Sequence, residues 1–173
     1  MRRLAPWVLL VLSLGLVGAH SLRWGVTATY LRTNARETDQ PARYDSVPRI
    51  NTSDGWTNGT RGEYLFPGWI GAWIMPHFWV LITAGLATFF ILLHGRGVRV
   101  PVSLPVWLTF YALYHSALTV LFYETNHGDR ISNDRIESYA GAGAWLATAL
   151  GLVAFVTALL WARAMQREAP PAT

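Results

Sequence analysis

Charged residues are confined to a few segments of the chain, and four long apolar stretches lie between them. A run of about 20 apolar residues is long enough to cross a bilayer as an α-helix. In the longest stretch, from Gly68 to His94, no polar face repeats at helical spacing, as it would in a soluble helix. The pattern predicts four transmembrane helices in a single membrane domain over residues 1–173. Their predicted bounds are about 4–22, 68–93, 101–123 and 138–162.

The segment between the first two predicted helices, residues 23–67, is polar and rich in turn-forming residues. The stretch Trp24–Tyr30 alternates loosely and holds the β-branched and aromatic residues that suit a strand. The dipeptides Asp-Gly at 54–55 and Asn-Gly at 58–59 are typical of turns or hairpins. Two interpretations stay open: a compact loop with two to four short strands, or an irregular loop. The predicted fold class is an all-α membrane protein, a four-transmembrane-helix bundle with an exported first loop.

The first 22 residues also fit two interpretations. A basic start, an apolar run and a small-residue end at Ala19-His20-Ser21 are typical of a secretory signal peptide. As an uncleaved helix, the charge-free stretch 4–22 is close to the minimum length of a membrane span. We favour the uncleaved helix, which gives four spans, whereas cleavage near Leu22 would leave three.

The short terminal and connecting segments predict the orientation. If four helices alternate in direction, the arginines of these segments all lie on one side of the membrane. Short cytoplasmic segments of membrane proteins carry an excess of basic residues. We therefore predict a multi-pass protein of the cell membrane with both termini in the cytoplasm. The arginines on that side are Arg2, Arg3, Arg96, Arg99, Arg163 and Arg167.

Composition narrows the range of functions. There is no cysteine, which excludes disulfides, thiolate metal sites and cysteine nucleophiles. The net charge is +4. The arginines predicted on the cytoplasmic side would attract anionic lipid, so the predicted partner is the bilayer and not a nucleic acid. The sequence contains no Walker loop, metalloprotease, hydrolase or dinucleotide motif. Scattered residues can still build an intramembrane active site, but nothing in the sequence supports one.

Small residues recur every three or four positions along the fourth predicted helix. In lipid, helices associate through close backbone approach, which small residues allow. This stripe predicts either packing inside the protein's own bundle, which we favour, or an interface with a second copy or another membrane protein. Its residues are Gly143, Ala147, Gly151, Ala154 and Ala158, continued by Ala162.

Two histidines, His77 and His115, lie about nine residues from the outer ends of the second and third predicted helices. These helices are predicted to be antiparallel neighbours, so the two imidazoles are predicted at similar depth. A pair of histidines on facing helices can hold a b-type haem iron. The alternative, which we favour, is that each imidazole bonds a hydroxyl or carbonyl of a neighbouring helix and no cofactor is bound.

Polar residues of the second outer loop, Glu124, His127 and Asp129, could bind a cation together with His20. Their spacing matches no zinc signature, which favours a solvated loop.

Two short stretches carry a resemblance to a known family. Trp24 follows the first predicted helix, and Tyr-Ala-Gly-Ala-Gly-Ala-Trp-Leu-Ala at 139–147 opens the fourth. Both are similar to the corresponding elements of the claudin and peripheral-myelin-protein group. The resemblance implies four helices, cytoplasmic termini, a large first outer loop with strands and a role in adhesion. The family's paired loop cysteines and Gly-Leu-Trp element have no counterpart here.

The predicted function is a non-enzymatic membrane scaffold or complex subunit that acts through helix packing and the exported loop. The first alternative is an electron-transfer subunit that binds haem b through His77 and His115. The second is a small transporter or metal-ion-binding membrane protein that uses the outer histidine and acidic residues.

Overall fold

The computed structural model describes residues 4–34, 41–54, 76–98, 101, 103–125, 128–129 and 134–166. Over these residues it has four helices and four strands. The helices are α1 (Ala5–Ala19), α2 (Pro76–Gly95), α3 (Ser103–Thr125) and α4 (Ala142–Gln166). The strands are β1 (Arg23–Tyr30), β2 (Arg49–Asp54), β3 (Gly128–Asp129) and β4 (Arg135–Ala140). The elements follow one another in the order α1-β1-β2-α2-α3-β3-β4-α4. The predicted turns at 54–55 and 58–59 and the start of the second predicted helix reach outside the described residues.

The prediction of an all-α bundle with four membrane spans is wrong, because the chain combines helices with an antiparallel sheet. Among the helices of the described residues, only α3 and α4 are long and apolar enough to cross a membrane. The first helix, α1, has 15 residues and is about 22 Å long at 1.5 Å per residue, short of a full span. The apolar part of α2 is also short. The fold is a small mixed α/β domain.

The sheet has the strand order β2-β1-β4-β3, and every pair is antiparallel. The strand predicted at Trp24–Tyr30 is confirmed as β1. Its neighbour β4 comes from the far end of the chain, and Thr27 Oγ1 lies 3.4 Å from Ser138 Oγ across the pair. The sheet therefore joins the segment after α1 to the segment before α4.

The helices pack in a closed ring, in which α1 and α3 each contact both α2 and α4. Two buried clusters lie inside the ring. One, around Trp24, Val80 and Ala144, lies next to the sheet, and the other, around Leu9 and Trp161, lies at the opposite end. Both clusters include residues from α1, α2 and α4, so successive helices run in opposite directions and the sheet covers one end of the ring.

Side-chain size differs between the interior of the ring of helices and its outer surface. Alanine is the commonest residue of the buried core, and most of the buried polar residues are serine and threonine. Large apolar side chains are exposed on the outer surfaces of all four helices, for example Val11, Phe89, Leu121 and Leu152. The helices therefore approach one another mainly through small residues, and most of their large apolar residues lie on the outer surface.

Candidate functional site

Buried side chains pack closely where α1, β1 and α4 meet. We call Leu16, Ala19, His20, Trp24 and Gly143 the helix–sheet junction. Trp24 is fully buried, and its indole Nε1 donates a hydrogen bond of 2.9 Å to the carbonyl oxygen of Ala19. The ring of His20 lies 4.8 Å from the Trp24 ring, and its Nδ1 is 3.0 Å from the Leu16 carbonyl oxygen. The end of α1 is thus bonded to the first turn of chain beyond it.

The first turn of α4 completes the junction. A Cβ atom placed on Gly143 would lie 2.7 Å from Trp24 Cδ1 and 2.8 Å from the Ala19 carbonyl oxygen, distances that side chains do not adopt. The backbone N–H of Gly141 donates a 2.8 Å hydrogen bond to the Trp24 carbonyl oxygen. The register between β1 and β2 shifts at this point, and such irregularities redirect a side chain. Glycine is therefore required at 143 for Trp24 to enter the core.

Of the four residues predicted to bind a cation, the structure describes the side chains of two, His20 and Glu124. His20 is buried in the helix–sheet junction, and Glu124 Oε1 accepts a 3.0 Å hydrogen bond from the backbone N–H of Ala140. His127 and the side chain of Asp129 lie outside the described residues. Within those residues no group of three His, Asp or Glu side chains is arranged to hold a metal ion.

Of the two histidines in the haem hypothesis, the structure describes the side chain of one. His115 is half-buried on α3, with its ring stacked 6.2 Å from Tyr111 and edge-on 5.2 Å from Tyr114. His77 belongs to the first turn of α2, and its side chain lies outside the described residues. Haem binding therefore stays a prediction.

The small-residue stripe of α4 lies inside the chain. Gly143, Ala147, Gly151, Ala154 and Ala158 are all buried, and Ala162 is half-buried. A Cβ atom on Gly151 would lie only 3.0 Å from the Cα of Leu113 on α3. Ala154 and Ala158 pack with Ala5 and Leu9 of α1. The stripe is occupied by the protein's own helices, so it is not free to bind a second copy.

Buried hydroxyl groups line the interior, and most bond a carbonyl oxygen of their own helix. Thr109, Ser116 and Thr119 on α3 do so at 2.8–2.9 Å. This is the usual solution for a hydroxyl without access to water. Ser13 on α1 differs, because its fully buried Oγ has no hydrogen-bond partner among the described residues. A buried hydroxyl without a partner destabilises the fold by about 1–3 kcal/mol.

Replacing Ser13 with alanine is therefore expected to raise the free energy of unfolding. Ser116→Ala is the matched control, because it makes the same change in a buried helical position but removes a 2.9 Å hydrogen bond to the Leu113 carbonyl oxygen. Both variants gain the same helix propensity, so their difference reports the unpaired hydroxyl. We expect Ser13→Ala to be more stable than Ser116→Ala by about 1 kcal/mol or more in detergent micelles, measured by chemical denaturation. Equal stability of the two variants would contradict this expectation.

The outer face of the sheet carries a row of polar and aromatic groups. Arg135 Nη2 lies 2.7 Å from Glu137 Oε1, and the Tyr139 hydroxyl donates a 3.2 Å hydrogen bond to Glu137 Oε2. This hydrogen bond, together with the negative charge of Glu137, raises the pKa of Tyr139 above its ordinary value. The Arg135 guanidinium carbon is also 6.0 Å from the centre of the Tyr30 ring. The row presents an exposed polar surface above the helices.

The sequence pointed to histidines and acidic loop residues, whereas the structure brings Trp24, Ala19 and Gly143 into close contact. A tryptophan placed directly after an apolar helix and a glycine-rich start of the last helix were the visible signals. This arrangement joins a sheet to a helical layer and has the geometry of a structural connection. Comparison of the chain with models of protein families and with curated proteins gives no match.

Proposed function

We propose that this protein is an integral membrane protein in which α3 and α4 cross the bilayer, and that it acts as a non-enzymatic scaffold or subunit of a membrane complex. The observation that carries the proposal is the distribution of side-chain size between the interior and the outer surface. Small and hydroxyl residues make up most of the interior, while many large apolar residues are exposed on the outer surface. Helices in lipid associate in this way, because burial of large apolar residues brings no gain where the solvent is itself apolar.

The exposure of the two long helices supports a lipid environment. Only 33% of the most apolar window of α3 and of α4 is buried inside the chain. The core helix of a soluble protein is mostly buried, and large exposed apolar surfaces are rare on soluble monomers. The outward residues of α4 include Leu152, Val153, Val156 and Leu160. A bilayer would cover these side chains.

Exposed aromatic residues support a specific depth in the membrane. On α3, Trp107 lies near the end remote from the sheet and Phe122 near the sheet, and both are exposed. Fifteen residues of helix separate them, which is about 22 Å at 1.5 Å per residue. Trp145 on α4 and Tyr139 on β4 are exposed at the sheet end. Tryptophan and tyrosine are enriched at the two membrane–water interfaces, and the positions of Trp107 at one end and of Trp145 and Tyr139 at the other fit this preference.

The charges support an orientation. Arg96 and Arg163 are exposed at the end of the ring remote from the sheet, where α1 begins and α4 ends. Basic residues in short segments favour the cytoplasm, so in our proposal the start of α3 and the end of α4 face the cytoplasm. Arginines on the sheet are accompanied by acidic residues, such as Glu137 beside Arg135. Claudin-like adhesion, haem binding and ion transport stay predictions.

An arginine placed on the outward face of α4 tests the lipid environment. Leu152 is 52% exposed near the middle of α4, and an arginine at the centre of a membrane helix costs about 2.5–3.5 kcal/mol on insertion scales. We expect Leu152→Arg to lower the amount of protein that remains in membranes washed at alkaline pH. The matched control is Val47→Arg, because Val47 is 76% exposed in the polar segment before β2 and should tolerate the change.

A different result is expected if α4 faces water and not lipid. If α4 faced water, Leu152→Arg would replace an exposed apolar side chain by a charged one and would raise solubility. Wild-type protein in the soluble fraction without detergent, together with full tolerance of Leu152→Arg, would refute the proposal.

A further inference from the structure

The end of α1 has the composition of a signal-peptide cleavage site, with small residues at Ala19 and Ser21. Cleavage there would release α1 and leave a chain that begins at Leu22. In the structure Ala19 is 1% exposed and His20 is fully buried. The backbone N–H of Leu22 donates a 3.2 Å hydrogen bond to the carbonyl oxygen of Ala19. This bond spans the cleavage site and closes it in a turn, which a peptidase would have to open before cutting.

The helix α1 packs along α4 from one end to the other. At the end remote from the sheet, Leu9 belongs to the same buried cluster as Ala158. In the middle, a Cβ atom on Gly15 would lie 3.2 Å from Leu150 Cδ1. At the sheet end, the carbonyl oxygen of Ala19 lies against the first turn of α4 in the helix–sheet junction. As α1 continues, its contacts move back along α4, so the two helices are antiparallel and α1 covers the small-residue stripe.

Loss of α1 would remove partners from both the helix–sheet junction and the small-residue stripe. The Trp24 indole N–H would lose the Ala19 carbonyl oxygen to which it donates, and a buried donor without an acceptor destabilises a fold. The stripe would lose the close helix contact that small residues allow. We propose that α1 is a permanent helix of the mature protein that stays packed against α4, and that Ala19-His20-Ser21 closes the helix–sheet junction and is not cleaved. The retention of α1 does not depend on whether α3 and α4 cross the bilayer.

The mass of the purified protein tests the retention of α1 directly. The full chain, carrying a tag at its C-terminal end, is produced in cells and isolated, and its intact mass and its first residues are determined. We expect a single species that keeps the whole of α1, Ala5–Ala19. A species whose first residue is Leu22, or any other residue between Ala19 and Trp24, would overturn the proposal.

Two glycines of α1 give an independent measurement on the folded protein. A Cβ atom on Gly15 would lie 3.2 Å from Leu150 Cδ1, whereas one on Gly18 would meet nothing within 4 Å. The variants Gly15→Leu and Gly18→Leu gain the same helix propensity and would add the same side chain to a cleaved signal peptide. If α1 is retained, overpacking against α4 is expected to raise the unfolding equilibrium constant of Gly15→Leu about tenfold above that of Gly18→Leu in detergent.

The stability of the two leucine variants decides whether α1 belongs to the folded protein. Equal stability would overturn the proposal, because α1 would then be absent or not packed against α4. Failure of Gly15→Leu to fold, while Gly18→Leu folds, would support it, since only a retained α1 can disturb the folded protein at one glycine and not at the other. Alkaline extraction tests the membrane location separately, so failure of the proposed function and failure of this proposal give different results.

Discussion

Replacing Trp24 with alanine is expected to lower the free energy of unfolding by about 3–5 kcal/mol, the usual effect of removing a buried large aromatic side chain. Trp24 is fully buried and belongs to the core cluster that joins α1, α2 and α4. The substitution would leave a cavity beneath Gly143 and remove the hydrogen bond to the Ala19 carbonyl oxygen. Because whole domains are stable by only about 5–15 kcal/mol, folded yield should also fall. Denaturation in detergent micelles measures the change.

Two further substitutions separate the contribution of the buried ring from that of the hydrogen bond to Ala19. Trp7→Ala makes the same change at a residue that is 65% exposed, and it should alter stability in detergent by less than about 0.5 kcal/mol. Trp24→Phe keeps most of the ring but cannot donate to Ala19, and its effect should lie between the other two. Similar stability of Trp24→Ala and Trp7→Ala would mean that the helix–sheet junction does not hold the fold together.

The role of Trp24 was only half predictable from the sequence. Alternation over Trp24–Tyr30 identified β1 correctly, because β-branched and aromatic residues favour a pleated surface. The end of α1 at Ala19 was not predictable from the absence of charge, which continues to Leu22. The helix ends earlier because the chain turns back at Ser21 and Leu22 and the indole bonds the Ala19 carbonyl oxygen. That contact depends on Gly143, which is distant in sequence.

The strand β4 was missed altogether, and the error explains the wrong fold class. Its six residues, Arg-Ile-Glu-Ser-Tyr-Ala, lie where a polar connection and the start of a helix were predicted. Ile136 and Ser138 are buried while Tyr139 is exposed, so the buried face does not follow hydrophobicity. The strand is stabilised by pairing with β1, at the other end of the chain, and a local pattern carries no information about such a partner.

The stripe on α4 was the most informative local pattern, since its spacing of three and four residues identified the buried face of the helix. Which helices cover that face was not predictable, because small residues fit any neighbour. The face of α3 that turns toward the other helices was also not predictable from the sequence. Its apolar residues are spread around the helix, and only the structure places Thr109 and Ser116 inside and Tyr114 outside. Equal depth of His77 and His115 along their helices therefore did not imply that their rings face each other.

Replacing Gly151 with leucine is expected to destabilise the protein by about 1–3 kcal/mol through overpacking. A Cβ atom at this position already lies 3.0 Å from the Cα of Leu113 and 3.2 Å from its backbone nitrogen, so α3 and α4 would have to separate. Glycine is the poorest helix former apart from proline, so any replacement also gains up to about 1 kcal/mol of helix propensity. The measured loss is thus the steric cost minus this gain.

Gly85→Leu is the matched control for that gain. Gly85 lies within α2, and a Cβ atom there would meet nothing within 4 Å. The same substitution should therefore leave stability unchanged or raise it by up to about 1 kcal/mol. Gly151→Ala should lie between the two leucine variants, because only the Cβ atom is added against the α3 backbone. Denaturation of the three variants in the same detergent gives the comparison. If Gly151→Leu were as stable as Gly85→Leu, α3 and α4 would not be in the close contact on which the ring of helices depends.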